Sequence, residues 1–179
     1  MQEVVILVGP DGADAGTAPK STVHTDRTPL HRAFSCYVFN EEGQVLITRR
    51  ALSKLTWPGV WTNSVCGHPA PGETAARAIQ RRMRLELGAG VAGVEAVLPD
   101  FRYQAVDASG VMENEVCPVH IAHLLGTLAP HPGEVAEWAW VDPGQLVTAV
   151  AATPMVFSPW VQLQIPQLVA AGLLPGVGS

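Results

Sequence analysis

Apolar positions in this chain fall into short runs separated by stretches rich in Gly, Pro and Asp, with one segment of clear helical period. Glu3 to Val8 reads as a first strand, and Gly9 to Ala18 as a loop. Arg32 to Phe39 and Gln44 to Arg49 read as two strands joined across the turn-like Asn40-Glu41-Glu42-Gly43. Leu55 to Gly72 is interrupted by Pro58, Gly59, Gly67, Pro69, Pro71 and Gly72, which predicts a long loop with a short strand at Trp61 to Val65. Glu73 to Leu87 is the clearest helix: Ala76, Ile79, Met83 and Leu87 form its apolar stripe, and Gly88 suits its C-terminal cap. Val94 to Tyr103, Glu113 to Leu125 and Ala136 to Val141 read as strands, and Pro143 to Val150 as a helix. Ser158-Pro159 offers an N-cap and a first-turn proline for a last helix ending near Ala170. Strands mixed with a few helices, without regular alternation, predict an α+β (mixed α/β) class: a mixed sheet flanked by helices.

Length and charge narrow the picture. The 179 residues predict a single domain over residues 1–179, and an apolar fraction of 47% argues against wholesale disorder. Eleven Lys and Arg against 16 Asp and Glu leave a net charge of −5, which speaks against nucleic acid as a partner. Val4 to Val8 is too short for a signal peptide or a membrane span, and no later run reaches membrane length. Cys36, Cys66 and Cys117 have no paired metal-type spacing and read as reduced thiols of a cytoplasmic protein. The expected assembly is a monomer or weak homodimer.

Candidate chemistry begins with His24, His31, His68, Glu113 and Glu115. Period-two geometry puts both carboxylates of Glu113-Asn114-Glu115 on one strand face. Adjacent like charges are costly unless a cation or proton compensates them. A divalent metal with imidazole and carboxylate ligands would do so, and this donor set fits Mn, Zn or Mg without choosing among them. Taken singly, each of these residues reads equally well as packing or surface, as His120, His123 and His131 do.

The loop Gly67-His68-Pro69-Ala70-Pro71-Gly72-Glu73 leads into the helix, and Arg81, Glu86 and Gly88 follow. This resembles a Nudix motif. It departs at Arg82 and Leu85, which stand where Nudix hydrolases carry metal-binding glutamates. A hydrolase of nucleoside diphosphate derivatives is therefore the weaker reading, as is a non-catalytic module that kept the fold.

Three further segments extend the resemblance over about Lys20 to Trp160. Thr28-Pro29-Leu30-His31-Arg32-Ala33-Phe34-Ser35, Trp57 to Pro69 with Thr62-Asn63-Ser64-Val65-Cys66-Gly67-His68 at its heart, and Glu113-Asn114-Glu115-Val116-Cys117 are similar to segments of the type I isopentenyl-diphosphate isomerases. The resemblance implies a Nudix-like fold and an isomerase that interconverts isopentenyl and dimethylallyl diphosphate, a small-molecule diphosphate substrate. It implies Cys66 and Glu115 as proton-transfer groups, with Tyr103 and Trp160 as aromatic partners. Lys20, Arg50, Lys54 and Arg82 would bind the diphosphate. His24, His31, His68, Glu113 and Glu115 would hold one divalent metal, and Glu86 would help hold Mg with the diphosphate. Cys36 and Cys117 are read as packing.

Overall fold

The structure, a computed structural model, describes residues 3–177. In chain order, strand β1 is Val4–Val8 and β2 is Asp14–Pro19. A one-turn helix α1, Lys20–Val23, precedes β3, His31–Arg32, β4, Phe34–Phe39, and β5, Val45–Arg50. The short strands β6, Trp61–Thr62, and β7, Val65–Gly67, lead into helix α2, Ala75–Leu87. Then come β8, Gly90–Leu98, β9, Arg102–Val106, β10, Met112–Val116, β11, Val119–Leu125, and β12, Val135–Val141. Helix α3, Pro143–Ala152, a single 3-10 turn, Pro154–Val156, and helix α4, Pro159–Ala170, complete the described elements.

The strands form two mixed sheets. One runs β2-β1-β3-β10-β9; the other runs β12-β5-β4-β11-β8, with β6 on β5 and β7 on β4. A parallel pair links them. His31 faces Glu115 and Arg32 faces Val116 in the first sheet, and Ser35 faces Val119 in the second. Ala33 N–H donates to Val116 O (2.9 Å) and Ser35 N–H to Pro118 O (3.0 Å), so the ladder continues across the break.

The second sheet is covered on both faces. Tyr37 and Phe39 of β4 pack in the apolar cluster that contains Leu146 of α3 and Trp160, Ile165 and Leu168 of α4. Phe34, Cys36 and Val38 alternate to the other face, with Ala78, Ile79, Met83 and Leu87 of α2. A strand buried on both faces reads as a continuous apolar run, which is why β4 is legible.

Several boundaries differ from the sequence reading. Gly9 to Ala18 is not all loop: β2 pairs antiparallel with β1, Val5 opposite Ala18 and Ile6 opposite Thr17. Its side chains are largely exposed, so no apolar alternation betrays the backbone pairing. Val94 to Tyr103 is two strands in different sheets, parted by a turn before Arg102. Glu113 to Leu125 is likewise divided at Cys117-Pro118, and Arg32 to Phe39 at Ala33. Each divided segment steps from one sheet to the other, and apolar character alone does not mark that step. The buried face of α2 contains Ala78 and Arg82 rather than Ala76; the charge on Arg82 masked the stripe. Ser158 sits at the α4 N-cap, but its hydroxyl meets Thr62 Oγ1 at 3.0 Å instead of capping the helix.

Gly88 ends α2 with φ 66°, and a Cβ there would lie 2.8 Å from Ala129 Cβ and O. Gly110 also has positive φ (88°) but open space around it. Gly88→Ala is expected to cost roughly 1–3 kcal/mol of stability, and Gly110→Ala less, as read from denaturant midpoints at unchanged slope.

Candidate metal and proton-transfer site

The His/Glu cluster forms where the linking strand pair leaves the first sheet. His31 and Glu115 are neighbours in the parallel ladder. His24 follows α1, and its segment is tied to β10: Met112 N–H donates to Thr25 O (2.7 Å) and Asn114 Nδ2 to Thr28 O (3.1 Å). His68 lies just past β7. Its carbonyl accepts from Arg81 (3.0 Å), and Arg81 in turn pairs with Glu73 (2.7 Å), so the loop is locked onto α2.

One ligand atom from each of His24, His31, His68 and Glu115 lies within 4.8 Å of the others. His68 Nε2 is 3.2 Å from Glu115 Oε1 and 3.2 Å from His31 Nε2. Glu113 stands beside this group. Its Oε2 is 3.2 Å from His24 Nε2 without hydrogen-bond alignment, while Oε1 accepts from Thr56 Oγ1 at 3.0 Å. His24 Nε2, His68 Nδ1 and Glu113 Oε2 are buried without a hydrogen-bond partner.

This arrangement fits a divalent cation. His31 Nδ1 faces only the carbonyl of Pro29 (2.9 Å), an acceptor, so that nitrogen carries the hydrogen and Nε2 offers a lone pair. Lone pairs of His31, His68 and Glu115 then converge with too few protons to satisfy them. Burial by itself would raise the Glu115 carboxyl, but the neighbouring imidazoles of His31 and His68, which gain by protonation beside a carboxylate, hold it well below the usual carboxylate range. Desolvation lowers His68, whereas Glu115 outweighs desolvation at His31 and raises it.

A cavity of about 260 Å³ opens onto this cluster. Every site residue named from the sequence lines it except His31, which is fully buried behind it. The four cations are already held. Lys20 pairs with Glu3 (2.7 Å), Lys54 with Glu134, and Arg82 with Glu86. Arg50 donates to the carbonyls of Thr56 (2.8 Å) and Trp57 (3.2 Å).

Cys66 belongs to β7 rather than to a loop. Its thiol lies 3.0 Å from Asn63 Oδ1 and 3.3 Å from Ser35 Oγ, and burial pushes it up to about 12. Cys117 is buried in the α3–α4 core cluster, with its sulfur 3.5 Å from Ser35 Oγ, and does not line the cavity. Tyr103 and Trp160 are ring neighbours (5.8 Å), and Trp57, the one described non-glycine residue with positive φ (43°), meets Trp160 edge-on at 5.6 Å. Thr56, Asn63, Glu3 and Glu134 were not foreseen as parts of the site. Thr56 and Asn63 lie within or beside the quoted loop segment, but a neutral side chain gives no chemical signal until its partners are known.

The fold and motif define a Nudix-domain protein. The NUDIX domain family matches residues 29–161. The fold is shared with a solved protein of Deinococcus radiodurans (TM-score 0.68, 21% identity, covering 92% of this chain and 98% of that one) and a MutT protein of Methanosarcina mazei (TM-score 0.61, 14% identity, 80% and 96%). Two relatives named isopentenyl-diphosphate Delta-isomerase are much nearer in sequence. That of Clavibacter sepedonicus is 60% identical over 93% of this chain and 87% of its own length; that of Paenarthrobacter aurescens is 56% identical over 97% and 94%. The chain belongs to this isomerase family.

Purified protein is expected to carry about one divalent ion per chain by elemental analysis. His31→Asn should lower that occupancy while thermal unfolding stays cooperative. A wild-type chain that takes up no ion after dialysis against Mn, Zn and Mg in turn would refute the site.

Proposed function

We propose that this chain interconverts isopentenyl diphosphate and dimethylallyl diphosphate in isoprenoid biosynthesis. The observation that carries the reading is one cavity in which a thiol, a buried carboxylate and four cations meet. Cys66 reaches it from the second sheet and Glu115 from the first, so two proton-transfer groups approach a bound substrate from different elements.

The reaction adds a proton at one terminal carbon, passing through a tertiary carbocation at C3, and removes one from C2; the reverse direction exchanges these roles. One group gives its proton and the other gains one, so each turnover leaves the pair inverted and a proton must return before the next. The ligand-free chain has the proton on sulfur and an ionised Glu115, one proton apart. An alkene is a very weak base, so water must be excluded and the acid must be strong. A divalent ion held by His24, His31, His68, Glu113 and Glu115 would supply electrostatic acidification of protonated Glu115.

The rings of Trp160 and Tyr103 border the cavity, and a tryptophan face stabilises a desolvated cation by about 2 kcal/mol. Lys20, Arg50, Lys54 and Arg82 would hold the diphosphate, with Glu86 beside them for its magnesium. Arg82 and Leu85 stand where a Nudix hydrolase carries metal-binding glutamates, so Glu86 alone of that cluster remains, a poor basis for activating water. Within this proposal the substrate is a small diphosphate, the chain works in the cytoplasm as a monomer or weak homodimer, and Mn, Zn or Mg fills the His/Glu site. No described helix is long and apolar enough to cross a membrane.

Incubation with isopentenyl diphosphate in deuterated water, followed by NMR, is expected to show double-bond migration and deuterium uptake. An unchanged substrate in metal-replete protein would overturn the proposal. Cys66→Ala should abolish migration while leaving diphosphate binding largely intact, whereas Cys36→Ala and Cys117→Ala should retain most activity. Nucleoside diphosphate derivatives should be hydrolysed negligibly; efficient release of phosphate from them would favour the hydrolase reading instead.

A further inference from the structure

We propose that Asn63 is a positioning residue that fixes the Cys66 thiol and the Trp160 indole relative to one another; the inference rests on the proton-transfer reading of Cys66. Asn63 is fully buried in the turn between β6 and β7. Its amide can sit only one way round. Nδ2 donates to the carbonyls of Cys36 and Val65, each at 3.0 Å, and carbonyls only accept. Oδ1 therefore faces the cavity side, where it accepts from Trp160 Nε1 (3.0 Å), Cys66 Sγ (3.0 Å) and Thr62 Oγ1 (2.9 Å). The indole N–H is a donor only, which fixes the same orientation independently.

One oxygen, anchored to β4 and β7 through the nitrogen of the same amide, thus ties a thiol on β7 to an indole on α4. The joint is reinforced nearby. Ser158 N–H donates to Trp61 O at 2.8 Å, and the Ser158 and Thr62 hydroxyls lie 3.0 Å apart, so the start of α4 is fastened to β6. An apolar side chain would fill this space without the desolvation cost of an amide. What the amide adds is direction: the thiol hydrogen is aimed and the indole plane is set. Misplacing a reacting group by about 1 Å can cost roughly 10²-fold in rate.

The test combines kinetics with NMR of the tryptophan side chains. Asn63→Ala is expected to lower kcat by roughly 10²-fold while KM stays within about threefold, because the proposed diphosphate contacts are untouched. The indole N–H resonance of Trp160, identified by its loss in Trp160→Phe, should shift in Asn63→Ala. Asn63→Asp keeps the oxygen acceptor but loses the N–H donors to Cys36 and Val65, so it should not restore the lost kcat. Asn63→Ala combined with Trp160→Phe should be less damaging than the product of the two single losses. Asn40→Ala, which removes a half-buried turn hydrogen bond outside the cavity lining, should lower stability without changing kcat. A folded Asn63→Ala with normal kcat, or with an unmoved Trp160 resonance, would overturn the proposal. If Asn63→Ala does not fold, Asn63→Ser decides by the same two readouts, since its shorter hydroxyl does not span from β4 to both the thiol and the indole: a lowered kcat with a shifted Trp160 resonance supports the joint, and a folded variant with both unchanged refutes it. A wild type that moves no double bond would remove the isomerase reading, while the indole shift would still report the Asn63 joint.

Discussion

The parallel pairing of β3-β4 with β10-β11 is the constraint on which the site depends. A parallel ladder has evenly spaced bonds and fixes register residue by residue. Here it carries one register through the break at Ala33 and Cys117-Pro118, from His31–Glu115 in one sheet to Ser35–Val119 in the other. A slip by one residue would turn Glu113 and Glu115 away from the imidazoles and bring Asn114 in their place. The cavity is lined from both sheets, by Glu113 and Glu115 of β10 and by Cys66 of β7. β7 then joins β4 with Ser35 opposite Cys66, which sets the thiol one strand away from the Glu115 carboxylate's ladder.

Burial makes that placement consequential. Glu113, Glu115, His31, Asn63, Ser35 and Gln164 are all buried polar residues, and most of their capacity is used. Gln164 Nε2 donates to Ser35 Oγ (2.9 Å) while Tyr37 OH donates to Gln164 Oε1 (2.9 Å). Because Ser35 Oγ already accepts from Gln164, its single hydrogen is left for a sulfur, Cys66 or Cys117. The core beneath the site is therefore a satisfied polar network, which rigidifies, with unsatisfied atoms left at His24, His68 and Glu113.

The helix α2 and the strand β4 were legible because their signals are local, a helical stripe and an apolar run; the His/Glu set was read as a group only through the resemblance of its segments to a known family, since singly each residue reads equally well as packing or surface. The division of Val94–Tyr103 and of Glu113–Leu125 was not, because both halves of each segment are strand and only the pairing partner changes. β2 was hidden for a related reason, since its contribution is backbone hydrogen bonding with exposed side chains. Arg82 shows the opposite failure: read as a charge for the cavity, it also forms part of the buried face of α2. Asn63 and Thr56 stayed silent because an amide or hydroxyl becomes part of a site only through what it touches.

The cavity rim has an unusual charge arrangement. Before any anion arrives, Lys20, Lys54 and Arg82 each meet a carboxylate, and Arg82 also lies 3.5 Å from Glu3 and 3.7 Å from Glu134. Among the described residues, Arg50 makes no ion pair and is held by carbonyls instead. Such pairing keeps long side chains ordered, so less entropy is lost when the proposed diphosphate binds. It also places Glu3, Glu86 and Glu134 where they would repel that diphosphate. A bare trianion would gain little from cations so compensated. A diphosphate accompanied by a divalent ion would not meet this conflict, because the carboxylates that repel the phosphates attract the ion. On the proposed reading, such a rim would favour a metal-complexed diphosphate over a free one, and the preference would reside in the acidic neighbours of the cations as much as in the cations themselves.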